Sequence, residues 1–177
     1  MSKNLEEKIK QVKILLLDVD GILTDGSVHI FGDDSEMYSF DVQDGYGIKL
    51  WRRAGFKVGF ITGRHSDAVE HRAKKLGVDY LFRSASDKVA IAENILKDEG
   101  LQFEDVAYMG DDLQDLPLLK EVGLSVTVPY GRDEVKKIAD IETSREGGNG
   151  AVRELVELIL KKKGLWEDIV SQDRILG

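Results

Sequence analysis

The segment LLLDVDGILTDG, Leu15 to Gly26, sets an aliphatic run directly against the carboxylates of Asp18, Asp20 and Asp25. The run that precedes the first carboxylate, Val12 to Leu17, is almost entirely aliphatic, which is typical of a strand buried on both faces of a parallel sheet. Ligands of such sheets bind at the carboxyl ends of the strands. The segment therefore predicts a buried strand that ends at a functional site.

The rest of the chain repeats this strand pattern, with helical patterns in between. Further short apolar runs lie at Lys57 to Ile61, Val78 to Phe82, Val106 to Met109 and Leu124 to Val128. Ser66 and Ser86 are candidate caps of the helices that follow them, and Gly77 and Gly100 are candidate stops. The alternation predicts a Rossmann-like α/β fold, in which a parallel sheet is one of three layers and helices cover both of its faces.

One stretch departs from this alternation. Residues 27–42 read as two short strands around a GDDS turn, which predicts a β-hairpin inserted after the first strand. The chain of 177 residues contains no repeat or linker, and we expect a single domain over residues 1–177. The apolar residues of the tail, residues 165–177, predict that it packs either on its own subunit or on a neighbouring one.

Composition excludes several classes of function. The net charge of −8 disfavours nucleic acid and anionic membranes as partners. The absence of cysteine excludes disulfides, thiolate zinc sites and a thiol nucleophile. The N-terminus MSKNLEEKIKQ is polar, and no apolar run approaches the roughly 20 residues of a membrane-spanning helix. We expect a cytoplasmic protein.

Polar residues follow the predicted strands at the points where the strands end. The set comprises Asp18, the residues Thr62, Gly63 and Arg64 of ITGR, Lys88, and the pair Asp111 and Asp112. Two carboxylates about 4 Å apart repel by about 4 kcal/mol at an effective dielectric of 20, so the cluster requires a cation or a shared proton. Oxygen ligands without nearby His or Cys favour Mg²⁺.

This combination of groups suits phosphoryl transfer. A metal ion, Lys88 and Thr62 would together receive the negative oxygens of a phosphoryl group. An aspartate would act as nucleophile, and a second carboxyl group would move the protons. Arg64, which is alternatively a solvated residue at a helix start, would bind the phosphate or carboxylate of a substrate.

The order DxDG, ITGR, Lys and GDDxxD, from Asp18 to Asp115, resembles the phosphatases of the haloacid dehalogenase superfamily. The resemblance implies that Asp18 is the nucleophile and Asp20 the general acid and base. It also implies that Asp18, the main-chain carbonyl of Asp20 and Asp111 bind Mg²⁺. The further implied roles are phosphate binding by Thr62 and Lys88, support of the metal or its water by Asp112, and orientation of the loop by Asp115.

A narrower resemblance covers nearly the whole chain. The segments LLLDVDGILTDG, FDVQDGYGIKLW, ITGR, GDDLQDLPLL and GGNGAVREL are similar to the 3-deoxy-D-manno-octulosonate 8-phosphate phosphatase family. This resemblance implies hydrolysis of that sugar phosphate in lipopolysaccharide precursor synthesis, no separate cap domain, and a homotetramer built on the hairpin. Neighbouring chains would help to cover each active site, which favours a role for the tail in a partner subunit.

The residues leave the substrate and the class of function open. The segment SVTVPYGRDEVKKIAD departs from the family pattern, so a related nine-carbon keto-sugar acid phosphate is an alternative substrate. A receiver-like phospho-acceptor module and a non-catalytic homologue are the competing classes; Asp20, an acid additional to those of receivers, argues against the former. Asp25 either begins the hairpin or contacts substrate, and DGYGIK, Asp44 to Lys49, is predicted to begin a helix.

Overall fold

The computed structural model describes residues 3–33 and 35–173. Its strands are β1 (Ile14–Leu17), β2 (His29–Ile30), β3 (Glu36–Met37), β4 (Lys57–Ile61), β5 (Tyr80–Phe82), β6 (Val106–Met109), β7 (Leu124–Thr127) and β8 (Ile141–Glu142). Six of them form one sheet in the order β5-β4-β1-β6-β7-β8, and every neighbouring pair is parallel. The predicted α/β class and parallel sheet are confirmed.

Helices pack on both faces of this sheet. They are α1 (Lys3–Gln11), α2 (Val42–Arg53), α3 (Asp67–Leu76), α4 (Lys88–Glu99), α5 (Leu116–Glu121), α6 (Asp133–Lys136), α7 (Ala151–Lys162) and α8 (Trp166–Asp173), with 3₁₀ turns at Phe103–Asp105 and Leu113–Asp115. Successive residues of a strand face opposite sides of the sheet. Leu15 and Leu17 of β1 therefore join a core with α1, α2, α3 and α7, whereas Ile14 and Leu16 join a second core with α4, α5 and α6.

Local sequence signals explain most of the helix ends. The carboxylate of Asp41 accepts hydrogen bonds from two backbone N–H groups in the first turn of α2, and Gly77 ends α3 with φ +70° in the left-handed region. The prediction of Ser86 as a cap was wrong. Asp87 caps α4 and accepts a hydrogen bond from the N–H of Ala90, and an aspartate at that position satisfies the same backbone donors as a serine.

Four elements of the described chain were not predicted from the sequence patterns: β8, α6, α1 and α8. β8 has only two residues, α6 only four, and α1 shows few apolar positions, of which Ile9 is fully buried. Elements this short carry too few residues for a periodicity, and their contacts with the sheet stabilise them. Among the described residues, no helix is long and apolar enough to cross a membrane.

The inserted segment contains a two-stranded antiparallel ribbon. β2 pairs with β3 in register His29 to Met37 and Ile30 to Glu36, and we call residues 29–37 the ribbon. Asp34, within the predicted GDDS turn, lies outside the described residues. In the tail, Ile169 of α8 is 4 % exposed and packs on the chain's own core; residues 174–177 lie outside the described residues, so the prediction for them stays open.

The order of the strands sets the position of the site. Connections from β1 run outward to β4 and β5 on one side, and the chain then returns to place β6 on the other side of β1. Such a reversal opens a crevice at the carboxyl ends of the two central strands. Asp18 directly follows β1, and Asp111 lies two residues after β6, so both residues lie at this crevice.

Candidate active site

Asp18 and Asp20 leave the end of β1 in different environments. Asp18 is 1 % exposed, and its N–H donates to the carbonyl of Met109 at 3.0 Å, which continues the pairing of β1 with β6. The next turn folds around the carbonyl of Val19, which accepts the N–H groups of residues 22, 23 and 24. Asp20 is half-buried, and its Oδ2 accepts a hydrogen bond from the Thr62 hydroxyl at 3.1 Å.

A buried lysine lies between two carboxylates. Lys88 Nζ lies 3.0 Å from Asp18 Oδ1 and 2.7 Å from Asp115 Oδ1. Tyr108 on β6 lies beneath this pair: its hydroxyl donates to Asp115 Oδ1 at 2.6 Å and accepts from Lys88 Nζ at 3.2 Å. The ammonium group thus compensates two buried negative charges, which would otherwise cost several kcal/mol each.

Both carboxylate oxygens of Asp115 accept hydrogen bonds from neighbouring groups. Its Oδ2 accepts the N–H groups of Asp111 and Asp112 at 3.0 and 3.1 Å, while its Oδ1 binds Lys88 and Tyr108. These contacts hold the loop after β6 in place, as the sequence resemblance implies for Asp115. We conclude that Asp115 orients the loop rather than offering an oxygen to a ligand.

Other carboxylate oxygens in the crevice lack partners. Asp18 Oδ2, Asp20 Oδ1 and Asp111 Oδ1 are buried and make no hydrogen bond within the described part of the chain. Oxygens of Asp18, Asp111 and Asp115 lie within 4.8 Å of one another. Buried unpaired oxygens are costly, and a hard divalent cation with oxygen ligands satisfies them. Asp18 and Asp111 are therefore the residues suited to hold Mg²⁺, with Asp20 adjacent.

The pKa values of these carboxyls point to the same requirement. Burial, increased by the charge of Asp115 and opposed by Lys88, raises the pKa of Asp18 to about 7. Burial, together with the charges of Asp115 and Asp112, raises the pKa of Asp111 to about 7. A cation between the two would favour their charged forms, because an opposite charge within a few ångströms lowers a carboxyl pKa.

Comparison with known proteins assigns this constellation to a family. Residues 80–155 match the haloacid dehalogenase-like hydrolase family. The chain is 37 % identical to 3-deoxy-D-manno-octulosonate 8-phosphate phosphatase KdsC of Escherichia coli strain K12 over 172 residues, which cover 97 % of this chain and 92 % of the relative. It belongs to the 3-deoxy-D-manno-octulosonate 8-phosphate phosphatase family.

Two solved structures of similar proteins superpose closely on the chain. The Moraxella catarrhalis phosphatase, crystallised with a magnesium ion, a phosphate ion and a KDO molecule, matches with a TM-score of 0.94 and 36 % identity, covering 97 % of this chain and 99 % of the other. A Legionella pneumophila structure described as a putative hydrolase of the same superfamily, subfamily III A, matches with a TM-score of 0.92 and 43 % identity, covering 95 % and 92 %.

In this member of the phosphatase family, the Thr62 side chain contacts Asp20, whereas the Arg64 side chain contacts the inserted segment. The backbone N–H of Arg64 donates to the Thr62 hydroxyl at 3.1 Å, but its guanidinium extends to Tyr38 and to Glu36 of the ribbon. Gly63 is exposed between the two. Asp25 is also exposed, and its carboxylate accepts the N–H of Ser27 at 2.8 Å, which agrees with a local role at the start of the insertion.

Sequence reasoning missed two groups that support the site, the Tyr108 side chain and the GGNG motif. Tyr108 gave no signal because a tyrosine in an apolar strand reads as core. The GGNG motif, Gly147 to Gly150, packs on the turn that carries Asp20: Gly148 N–H donates to the Ile22 carbonyl at 2.9 Å, and a β-carbon on Gly147 would lie 2.5 Å from the carbonyl carbon of Gly21. Two glycines that allow such close approach were the available signal.

Proposed function

We propose that this protein is a Mg²⁺-dependent phosphomonoesterase that hydrolyses 3-deoxy-D-manno-octulosonate 8-phosphate to the free sugar acid and inorganic phosphate. The observation that carries the proposal is the meeting of Asp18, Lys88 and Asp111 at the strand switch point, with unpartnered oxygens on both aspartates. The family relatives bear the name of this activity, and the Moraxella catarrhalis relative holds magnesium, phosphate and KDO.

In this reaction the carboxylate of Asp18 attacks the phosphorus atom, and the bond from phosphorus to the sugar oxygen breaks. Asp20 then donates a proton to the departing sugar oxygen. In the second half, Asp20 takes a proton from water as the water attacks the aspartyl-phosphate, which releases phosphate and regenerates Asp18. Burial of Asp18 supports the first role, and the half-buried position of Asp20, beside Thr62, supports the second.

The remaining groups bind the phosphate. Thr62 and the backbone at Gly63 face the same edge as Lys88, whose Nζ is 3.0 Å from the nucleophile. A buried ammonium beside the nucleophile lowers the repulsion between the carboxylate and an incoming phosphate. Mg²⁺, held by Asp18, Asp111 and the main-chain carbonyl of Asp20, supplies charge neutralisation for the phosphoryl oxygens when it is bound.

Arg64 recognises the acidic end of the substrate. Its side chain is 45 % exposed, so the guanidinium can bind a sugar carboxylate without a large desolvation cost. An eight-carbon and a nine-carbon keto-sugar acid phosphate both carry such a carboxylate, and the longer phosphate is the alternative substrate.

The protein also acts as a homotetramer in this proposal. Ile30, Phe31 and Met37 of the ribbon are 70 %, 52 % and 48 % exposed. Exposed apolar side chains of this size on one short segment support assembly with other copies of the chain. Sedimentation velocity tests the stoichiometry.

The activity test is phosphate release from eight- and nine-carbon keto-sugar acid phosphates and from hexose phosphates, with Mg²⁺ and with EDTA. We expect the highest kcat/KM for the eight-carbon substrate and no turnover in EDTA. Absence of metal-dependent release from every substrate would refute the proposal. A preference for the nine-carbon phosphate would support the proposed reaction but identify that phosphate as the substrate.

The nucleophile is tested by Asp18→Asn, with Asp98→Asn as the matched control. Both substitutions replace a carboxylate with an amide, but Asp98 lies on the exposed face of α4. We expect a loss of at least about 10⁴-fold in kcat for the first variant and wild-type kinetics for the second. Wild-type turnover in Asp18→Asn would show that Asp18 is not the nucleophile.

A further inference from the structure

Arg64 is held along one edge by two side chains of the inserted segment. Its Nε donates to the Tyr38 hydroxyl at 2.9 Å and its Nη2 donates to Glu36 Oε1 at 2.8 Å. The Tyr38 hydroxyl in turn donates to Glu36 Oε2 at 3.2 Å. The three side chains therefore form a closed ring of hydrogen bonds between the inserted segment and the loop after β4.

The other edge of the guanidinium stays available. A guanidinium carries five N–H donors in a rigid plane, and the ring uses Nε–H and one N–H of Nη2. Within residues 3–33 and 35–173, Nη1 of Arg64 makes no hydrogen bond. The edge formed by Nη1 and Nη2 can therefore donate two parallel hydrogen bonds to a carboxylate.

This ring lies within electrostatic reach of the catalytic end of the crevice. The hydrogen bond to Tyr38 is the main cause that raises the pKa of Arg64, and the charge of Asp20 adds to it. Burial, with a smaller contribution from Asp20, raises the pKa of Tyr38. The backbone N–H of Arg64 also binds the Thr62 hydroxyl, which donates to Asp20. Two hydrogen bonds, both through the Thr62 hydroxyl, thus connect Arg64 to Asp20.

Tyr38 and Glu36 hold Arg64 in physically different ways. Glu36 is a charged partner, which neutralises the guanidinium and competes with an anionic substrate. Tyr38 is neutral, so its hydroxyl orients the guanidinium while leaving the positive charge intact. Packing also holds the Tyr38 ring: it is only 9 % exposed, and it stacks on Phe40 with a centroid distance of 6.3 Å and an interplanar angle of 17°.

We infer that Tyr38 is a positioning residue for substrate selection, which takes the Nε–H of Arg64 and thereby presents the Nη1–Nη2 edge to the carboxylate of the sugar acid. This inference rests on the proposed function. An arginine that is free to rotate must be ordered when the substrate binds, and ordering one long side chain costs affinity. Preorganisation by Tyr38 removes that cost only for substrates that use Arg64.

The test is Tyr38→Phe, which deletes the hydroxyl and keeps the stacked ring. KM and kcat are measured for 3-deoxy-D-manno-octulosonate 8-phosphate and for p-nitrophenyl phosphate, which has no carboxylate. We expect KM for the sugar acid to rise about three- to tenfold, with a much smaller change in kcat. The ratio of kcat/KM between the two substrates should fall by the same factor. Tyr46→Phe, a half-buried tyrosine of α2, is the matched control.

A double-mutant cycle separates positioning from general structural damage. If Tyr38 acts through Arg64, adding Tyr38→Phe to Arg64→Ala changes KM for the sugar acid by less than about twofold. Multiplicative effects, or an equal loss on both substrates, would overturn the inference. Glu36→Gln keeps Tyr38 in place and should lower KM or leave it unchanged, because a competitor for the guanidinium is lost; a rise in KM equal to that of Tyr38→Phe would also overturn it.

Binding of the free sugar acid distinguishes this inference from the proposed reaction. Wild-type protein that releases no phosphate from either substrate refutes the reaction. In that case, the affinity of the protein for 3-deoxy-D-manno-octulosonate, measured by calorimetry, still tests the role of Tyr38. A three- to tenfold weaker affinity in Tyr38→Phe, of about the size expected for one lost hydrogen bond, supports the role. Equal affinities, or no binding by the wild type, refute it.

Discussion

A methyl group at Gly21 should disable the metal site without unfolding the protein. Gly21 has φ +88°, in the left-handed region, and a β-carbon there would lie 2.6 Å from Cγ and 2.8 Å from Oδ1 of Asp111, with Oδ2 nearer still. Non-bonded carbon atoms separate to about 3.5 Å. Asp111 must therefore move by about 1 Å in Gly21→Ala, away from the position in which its free oxygen faces Asp18.

Two effects add in this variant, and they differ in size and in readout. Left-handed backbone at an alanine costs about 1–2 kcal/mol of folding free energy. Displacement of a metal ligand by about 1 Å costs about 100-fold in rate, which corresponds to about 2.7 kcal/mol in the activation barrier. We expect Gly21→Ala to lose about 100-fold in kcat/KM and to need a higher Mg²⁺ concentration for half-maximal activity.

Gly26→Ala is the matched control, because it carries the backbone cost alone. Gly26 has φ +81°, and the nearest atoms to its added β-carbon are Cα and N of Gly21 at 3.8 Å. The two variants should lose similar amounts of unfolding free energy in urea, while only Gly21→Ala loses activity and Mg²⁺ affinity. Equal loss of activity in both variants, or activity of Gly21→Ala within about threefold of wild type, would contradict the assignment of Asp111 to the metal.

Three further outcomes are expected. Lys88→Met should lower the unfolding free energy measured in EDTA by about 3–5 kcal/mol at pH 8, and by less at pH 5, because burial raises the pKa of Asp18 to about 7 and this carboxyl is then protonated; an equal loss at both pH values would contradict the ion pairing. Mg²⁺ at about 100 times its Kd should raise the unfolding free energy by about 2.7 kcal/mol, and Asp111→Asn should abolish that increase. Burial raises the pKa of Asp44 to about 6 from its ordinary value of 3.8, although the N–H groups of Arg153 and Gly150 oppose this shift. The folded protein therefore has stability below pH 3.8 that is lost as the pH rises through 6. Relative to Asp44→Asn, the wild type should therefore lose about 2 kcal/mol between pH 4 and pH 7 in urea denaturation, and parallel stability curves would exclude this titration.

Much of the site followed from residues that are close in sequence. Asp18 comes directly after an aliphatic run, and any parallel sheet places the residue after such a strand at its carboxyl edge. The same rule applies to Thr62 after β4 and to Asp111 after β6. Their meeting at one edge was predictable because it depends on strand direction alone, whereas their individual roles stay predictions until the variants are assayed.

Local patterns were less reliable for helix starts and short strands. Ser86 and Asp87 are both good capping residues in adjacent positions, and the backbone geometry selected Asp87. β8 pairs with β7 through only two residues, too few for a recognisable pattern. In both cases the neighbouring elements supply the stabilisation.

The sequence by itself determined the strand that ends at Asp18, the order of the charged motifs and the need for a cation among them. Only the tertiary structure decided that Tyr108 supports Lys88 from below, and that Tyr38 of the inserted segment binds Arg64. These pairs are separated by 20 and 26 residues, and their contacts depend on how the connecting elements cross the sheet. A hydrogen bond requires two atoms within about 3 Å of each other, and sequence spacing does not specify such a distance between side chains on different elements.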